Sequence, residues 1–193
     1  DPGYSFYNRG QINATPTNVD LGSVGMDIIG DSSTAQALLT GGIFNSGAIS
    51  SSASTDTSSA QAISATALRI GPYAVVPILE NSNEVGASSG NIQASVTGAS
   101  TGQGAFAIQI DVNGSLAKLI NSGTISATAQ TSDVTVGSIT AVAINDLSGT
   151  LSQIINTGTI AAQVTQLDNN FQVNTAANLQ ANTSGVNFQN TGI

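Results

Sequence analysis

The sequence predicts an all-β protein, a parallel β-helix (β-solenoid) of about five to six coils of 34–40 residues, with an asparagine ladder at one corner. Three observations predict it. One short string recurs: Phe6-Tyr7-Asn8-Arg9-Gly10-Gln11-Ile12, Ile43-Phe44-Asn45-Ser46-Gly47-Ala48-Ile49, Leu119-Ile120-Asn121-Ser122-Gly123-Thr124-Ile125 and Ile154-Ile155-Asn156-Thr157-Gly158-Thr159-Ile160. A worn copy runs from Ile78 to Val85, and a partial one occupies 188–193. The aligned asparagines Asn8, Asn45, Asn81, Asn121, Asn156 and Asn190 are 37, 36, 40, 35 and 34 residues apart, a period that marks a solenoid. Large aliphatics alternate with small or polar residues at period two, the signature of half-buried strands. Finally, charged residues make up only 7% of the chain while hydrophobic ones make up 40%. The remainder, chiefly Ser, Thr, Asn, Gln and Gly, suits stacked strands better than helices.

In order along the chain, residues 1–193 read as a single solenoid domain, with 1–42 a first coil or N-terminal cap and 43–193 the repeats. Val24, Met26 and Ile28 alternate with Gly25 and Asp27, a strand with one buried face. Gly30-Asp31-Ser32-Ser33 is a turn. Ser50 to Ser59 is a loop or a polar strand. Gly71-Pro72 and Pro77 shorten the next strand, because proline cannot donate to a ladder. In the middle strands Leu68, Ile108 and Val142 share one inward slot. Ile70, Ile110 and Ile144 share another, with Arg69, Gln109 or Ala143 outward between them. Ile49, Ile125 and Ile160 return the chain to the core after the asparagine. Gly47, Gly123 and Gly158 supply a left-handed corner, and Asn83 stands in for glycine in the worn copy. Asp111 to Ser115 and Asn145 to Gly149 are turns whose Asn-Gly and Ser-Gly pairs supply positive φ. Three strands and their corners need roughly 21–27 residues, which leaves one protruding loop per coil around 51–62, 95–104 and 129–137.

The asparagine column reads as structural. A buried amide costs free energy unless paired, and identical side chains stacked about 4.8 Å apart pair one another.

Charge and composition exclude several function classes. Three basic residues (Arg9, Arg69, Lys118) against eleven acids give a net charge of −8, so the chain cannot neutralise a phosphate backbone, and nucleic acid is not an expected partner. There is no polybasic segment for an anionic membrane and no apolar run of about 20 residues for direct insertion. With no cysteine and no histidine, disulfide frameworks and the commonest zinc and copper sites are excluded. The start at Asp1 and the end inside a repeat suggest a segment of a longer protein.

Catalytic, cofactor and metal sites are not expected. Paired carboxylates at about 5–9.5 Å would be needed for glycoside hydrolysis. The nearest candidates, Asp111 and Asp146, occupy comparable turn positions where acids ordinarily cap the turn. They could hold calcium weakly, but no calcium-loop pattern is present. Gly102-x-Gly104 is a loop and not a phosphate cradle. Thr124, Ser126 and Thr128 put hydroxyls on one face, a faint echo of ice-binding arrays that fades in other coils.

The string from Ala143 to Ala162, with Asp146-x-Ser148-Gly149-Thr150-Leu151 leading into Asn156-Thr157-Gly158-Thr159-Ile160, resembles the passenger repeats of bacterial autotransporter adhesins and filamentous-haemagglutinin-like exoproteins. The resemblance implies a right-handed helix, export to the surface of a Gram-negative bacterium, and a role in adhesion, aggregation or biofilm. Expected partners are surface glycans, a host surface or further copies of the chain. The alternative is a subunit that stacks end to end through exposed strand edges into an extracellular filament. A glycan-processing β-helix enzyme is a third reading.

Overall fold

The computed structural model describes residues 3–56, 62–82, 90–98, 102–131, 139–166, 172–179 and 187–191, and these contain strands and no helix. The first coil holds β1 (Phe6–Asn8), β2 (Gln11–Ala14) and β3 (Ser23–Ile28). The second holds the two-residue β4 (Ala37–Leu38), then β5 (Ile43–Asn45), β6 (Ala48–Ser54) and β7 (Ser64–Ile70). The third is β8 (Ala74–Asn81), β9 (Asn91–Thr97) and β10 (Gly104–Ile110), and the fourth β11 (Ser115–Asn121), β12 (Thr124–Thr131) and β13 (Ile139–Asp146). β14 (Gln153–Asn156), β15 (Thr159–Gln166) and β16 (Gln172–Leu179) form the fifth, and β17 (Asn187–Asn190) opens another.

Every ladder is parallel and joins a strand to its counterpart in the next coil, giving three sheets: β1-β5-β8-β11-β14-β17 with β4 beside β8, β2-β6-β9-β12-β15, and β3-β7-β10-β13-β16. We call them the asparagine sheet, the polar sheet and the cleft sheet. The chain is a β-solenoid, as the repeats predict.

The asparagines stack in register, Asn8 on Asn45 on Asn81 on Asn121 on Asn156 on Asn190. At each of the five steps the Nδ2 of one donates to the Oδ1 of the next at 2.7 Å. A second donation goes to backbone carbonyls of the following corner, as from Asn81 to Thr124 at 3.2 Å and from Asn121 to Thr159 at 3.1 Å. At the N-terminal end, where no earlier rung supplies a donor, the Gly10 N–H caps Asn8 Oδ1 at 3.2 Å. Asn45, Asn81 and Asn121 are fully buried, so the ladder answers a polar group that water cannot reach.

The glycines two residues on work differently from the expectation. Gly47, Gly123 and Gly158 are not among the positive-φ residues. They are glycine because the corners stack backbone on backbone: a Cβ at Gly47 would lie 2.1 Å from the Gly10 oxygen, at Gly123 2.0 Å from Gly90, and at Gly158 2.1 Å from Gly123. In the worn copy the corner belongs to Gly90, not Asn83. Gly90 accepts from Thr124 N–H at 2.8 Å, and Asn91 N–H donates to Gly47 at 2.8 Å. Ile92, not Val85, then stacks between Ile49 and Ile125. Residues 83–89, Asn83 and Val85 among them, lie outside the described residues.

Three corrections concern strand phase and length. In the cleft sheet Leu68 and Ile108 pair with Ile144, while Ile70 and Ile110 pair with Asp146. Val142 pairs with Phe106 and Thr66, so the slots predicted for Val142 and Ile144 are each two residues out. The other predicted core residues are buried in the core, Ile160 partly so; Val142 is buried too but lies in the outward column of Phe106 and Thr66, apart from the core cluster. The cause is a repeat within the strand: Ala141-Val142 and Ala143-Ile144 read alike, and it is Ile144, not Val142, that pairs with Ile108, with Asp146 in place of the second aliphatic. The strands also bend at Gly25, Ala67, Ala107 and Ala143, which the ladder skips in every rung. Both Ala67 and Leu68 face inward, as do Ala107 and Ile108, and alternation restarts on the far side. Val24 is therefore exposed rather than buried. Second, residues 51–54, 95–97 and 129–131 are strand, not loop; 57–61, 99–101 and 132–138 lie outside the described residues. Third, Pro77 sits inside β8, where it is exposed. It is tolerated because the neighbouring chain leaves strand geometry between β4 and β5, opposite a residue that has no N–H to offer.

The core is a set of aliphatic columns: Ile43–Leu79–Leu119–Ile154 in the asparagine sheet, Ile49–Ile92–Ile125 in the polar sheet and Leu68–Ile108–Ile144 in the cleft sheet, nearly all fully buried. Each side chain contributes on the order of 1.5–3 kcal/mol by burial.

Two stability predictions follow from the corner. Gly123→Ala should cost about 3 kcal/mol by forcing a backbone clash, while Gly10→Ala, where a Cβ meets nothing within 4 Å, should stay within about 0.5 kcal/mol. Asn81→Ala strips a donor from Asn121 and an acceptor from Asn45, and should cost roughly 2–4 kcal/mol. Asn8→Ala, at the end of the ladder, should cost less. Urea unfolding of the four variants measures both differences.

Candidate functional site

Among the described residues, no constellation of catalytic side chains forms around those singled out by sequence. Asp111 and Asp146 are not a stacked pair. Asp111 follows the last core residue of β10 and accepts from Arg69, Nε at 2.8 Å and Nη2 at 2.6 Å. Asp146 takes the core slot of Ile110 and is fully buried. Its Oδ1 accepts from Ser148 N–H at 2.9 Å, Ser148 Oγ at 2.6 Å and Gly149 N–H at 3.1 Å, and its Oδ2 from Leu151 N–H at 3.3 Å. The Asp-x-Ser-Gly-Thr-Leu segment is thus a turn folded around an inward carboxylate. Among the described residues no group of three or more His, Cys, Asp or Glu side chains converges.

Two surfaces remain as candidates. The first is the outer face of the polar sheet. β6 and β12 alternate between buried and more exposed residues, with Ile and Ala mostly inward, joined there by Ser51 and Thr131, and hydroxyls or amides mostly outward. In register, the outward positions form columns: Asn13, Ser50, Gln93, Ser126 and Ala161 in one, Ser52, Ser95, Thr128 and Gln163 in the next. Thr124, Ser126 and Thr128 do share this face. Lateral hydrogen bonds order it, Ser50 Oγ to Asn13 Oδ1 at 2.6 Å and Thr15 Oγ1 with Ser52 Oγ at 2.9 Å. The relief is shallow, with a depression of about 230 Å³ over Ser50, Gln93, Ser95, Ser126 and Thr128 and a smaller one of about 120 Å³ over Thr15, Ser52, Ser54, Ser95 and Thr97. The face is a flat, uncharged grid with a rung every 4.8 Å or so.

The second is an open cleft of about 790 Å³ on the cleft sheet. The bend that displaces the strand phase creates it: Val24, Thr66 and Phe106 line up facing outward, with Arg69 and Gln109 beside them, and Asp20, Leu21 and Gly22 form one wall. Phe106 packs over Gly104, where a Cβ would come within 2.7 Å of the ring. Arg69 also reaches Asp27 at 3.2 Å, and Gln109 Nε2 donates to Asp111 Oδ1 at 2.7 Å. Burial opposes the Arg69 charge, but the hydrogen bond and field of Asp111, with Asp27 behind it, more than offset that and raise its pKa. Asp20 has φ 65, and no described group donates to its buried Oδ1.

A third cluster, on the asparagine sheet, is structural. Tyr4, Tyr7 and Phe44 meet with ring centroids 5.4–5.8 Å apart, and the Tyr4 hydroxyl donates to Glu80. Burial, then that hydrogen bond and the Glu80 charge, raise the Tyr4 pKa above the usual phenol value. The cluster ties the first coil to the third.

The cleft was not read from the sequence. Its signal is the column of small residues Gly25, Ala67, Ala107 and Ala143, one per coil, in the middle of otherwise large-residue strands. Comparison with protein-family models, curated proteins and solved structures finds no match to this chain.

The turn around Asp146 is expected to be worth more than the half-buried Arg69–Asp111 ion pair. Asp146→Ala leaves buried N–H groups unpaired and should cost about 2–4 kcal/mol, whereas Asp111→Ala should cost about 1 kcal/mol or less. Thermal unfolding of the two variants checks the order.

Proposed function

We propose that the chain is a rigid extracellular adhesive solenoid that attaches through the outer face of its polar sheet. The observation that carries this reading is the register of that face: across five coils the aligned columns are hydroxyl or amide at every position but Ala161, without a charged side chain among them. One such contact contributes only about 0.5–1.5 kcal/mol net. A rigid grid that engages many at once gains by effective concentration, provided the opposing surface repeats on a similar scale. Polyhydroxylated surfaces do so, as does the same face of a second copy. The partners are accordingly surface glycans, a host surface or another copy, and the setting is the outside of a Gram-negative cell, where the adhesin-like repeats belong. The reading assigns no enzymatic step.

The test couples shape with retention. Beads coated with the chain should hold to glycan-bearing cells, and Ser95→Glu with Thr128→Glu should reduce retention at least about fivefold by breaking the grid with desolvated charge, leaving the circular dichroism spectrum unchanged. Negative-stain images of the same sample should show short separate rods. Unchanged retention, or long filaments of uniform width, would overturn the reading in favour of function at the ends.

A further inference from the structure

We propose that the cleft over β3, β7 and β10 is a binding site for an uncharged oligosaccharide lying along the solenoid axis. The inference rests on the attachment reading only for its biological setting; its geometry is separate from the polar grid.

The cleft has the size of a small-molecule site, about 790 Å³ within the usual range of roughly 300–1,000 Å³. It is an open trough and not a closed apolar cavity. Its lining is sorted into stripes by the strand register. Val24 and Phe106, on either side of the largely buried Thr66, run parallel to the axis as an apolar and aromatic stripe, and Arg69 and Gln109 as a polar one beside it. Ser64 adds a hydroxyl on the other side, while the Ser23 hydroxyl is held by Ser51 and Ser52. A pyranose has the same division, an apolar face of C–H groups bounded by hydroxyl edges, and advances along its chain by a length comparable with one rung of about 4.8 Å. Lipid would leave the polar stripe unanswered, and an extended peptide would pair with the free edge of β3 as a further rung, lying across the axis beside the trough and not along it.

The polar groups are held ready. Arg69 has five N–H donors and spends three of them on Asp111 and Asp27, leaving two for a ligand while its orientation stays fixed. Gln109, anchored through one N–H on Asp111, keeps its carbonyl oxygen and second N–H. The Phe106 ring is seated against Gly104, so little rotamer entropy is lost on stacking. Charge decides the class of sugar. Two carboxylates neutralise Arg69, and Asp20 adds a third acid at the wall, so uronates and sialates are repelled.

The test is calorimetric titration of the chain with neutral trisaccharides (cellotriose, maltotriose, N-acetylated chitotriose) and with trigalacturonate. At least one neutral trisaccharide should bind with Kd in the millimolar range or tighter. Phe106→Ala should weaken it by about tenfold or more, and Val24→Glu, at an exposed position on the floor, should do the same without touching the core. Ser126→Ala, on the polar grid, should leave it unchanged, and trigalacturonate should not bind. Absence of binding by all three neutral sugars, equal binding of the acidic one, or indifference to Val24→Glu would overturn the proposal. Because retention of coated beads is measured on other residues, a failed titration with intact retention sinks the cleft alone, and the reverse sinks the grid alone.

Discussion

The fold depends on one constraint, that each coil must sit in exact register on the last. The asparagine ladder imposes it. A slip of one residue would place Asn81 opposite Phe44 or Ser46 instead of Asn45, and would leave a buried amide with neither donor nor acceptor. The close stacking of Gly90, Gly123 and Gly158 at the same corner reinforces this, because only glycine can occupy a position with another backbone about 2 Å from where a Cβ would lie. Polar need and steric need thus fall two residues apart in most coils, as Asn-x-Gly, and the repeat carries both.

With register fixed at one corner, the other two sheets can differ. The polar sheet keeps strict alternation and so exports a regular face. The cleft sheet bends at a column of small residues, which shifts its inward phase and hollows its outer surface. Two surfaces of opposite character, one flat and one concave, therefore arise from the same stack of strands.

Much of this was legible in the sequence. The asparagine spacing gave the coil count and the ladder, and Ile49, Ile125 and Ile160 gave the core return. What was not legible has physical causes. Ala67 and Leu68 are both apolar, so a linear period-two reading assigns them to opposite faces when a bend turns both inward. Val142, Ile144 and Asp146 were misplaced for another reason: Ala141-Val142 repeats as Ala143-Ile144 two residues on, and only the register shows which copy matches Ala107-Ile108. The residues between Ser82 and Gly90 made Asn83 look like a degenerate corner, although Gly90 performs that role further along. The glycine corners were assigned to a left-handed backbone on residue type alone, while the actual reason is crowding from the adjacent coil, which only three-dimensional stacking reveals. The cleft depends on all of these together.

The ladder has a further property. At all five steps the amide points the same way, Nδ2 forward and Oδ1 back, so the stack is a polar filament of aligned side-chain dipoles with a head and a tail. A coil arriving in sequence order meets a row of waiting donors. An inverted coil would present donors to donors. The chemistry of one side chain therefore makes assembly vectorial: the rod can be extended rung by rung from its N-terminal seed, and it cannot be continued by a coil laid in the opposite sense.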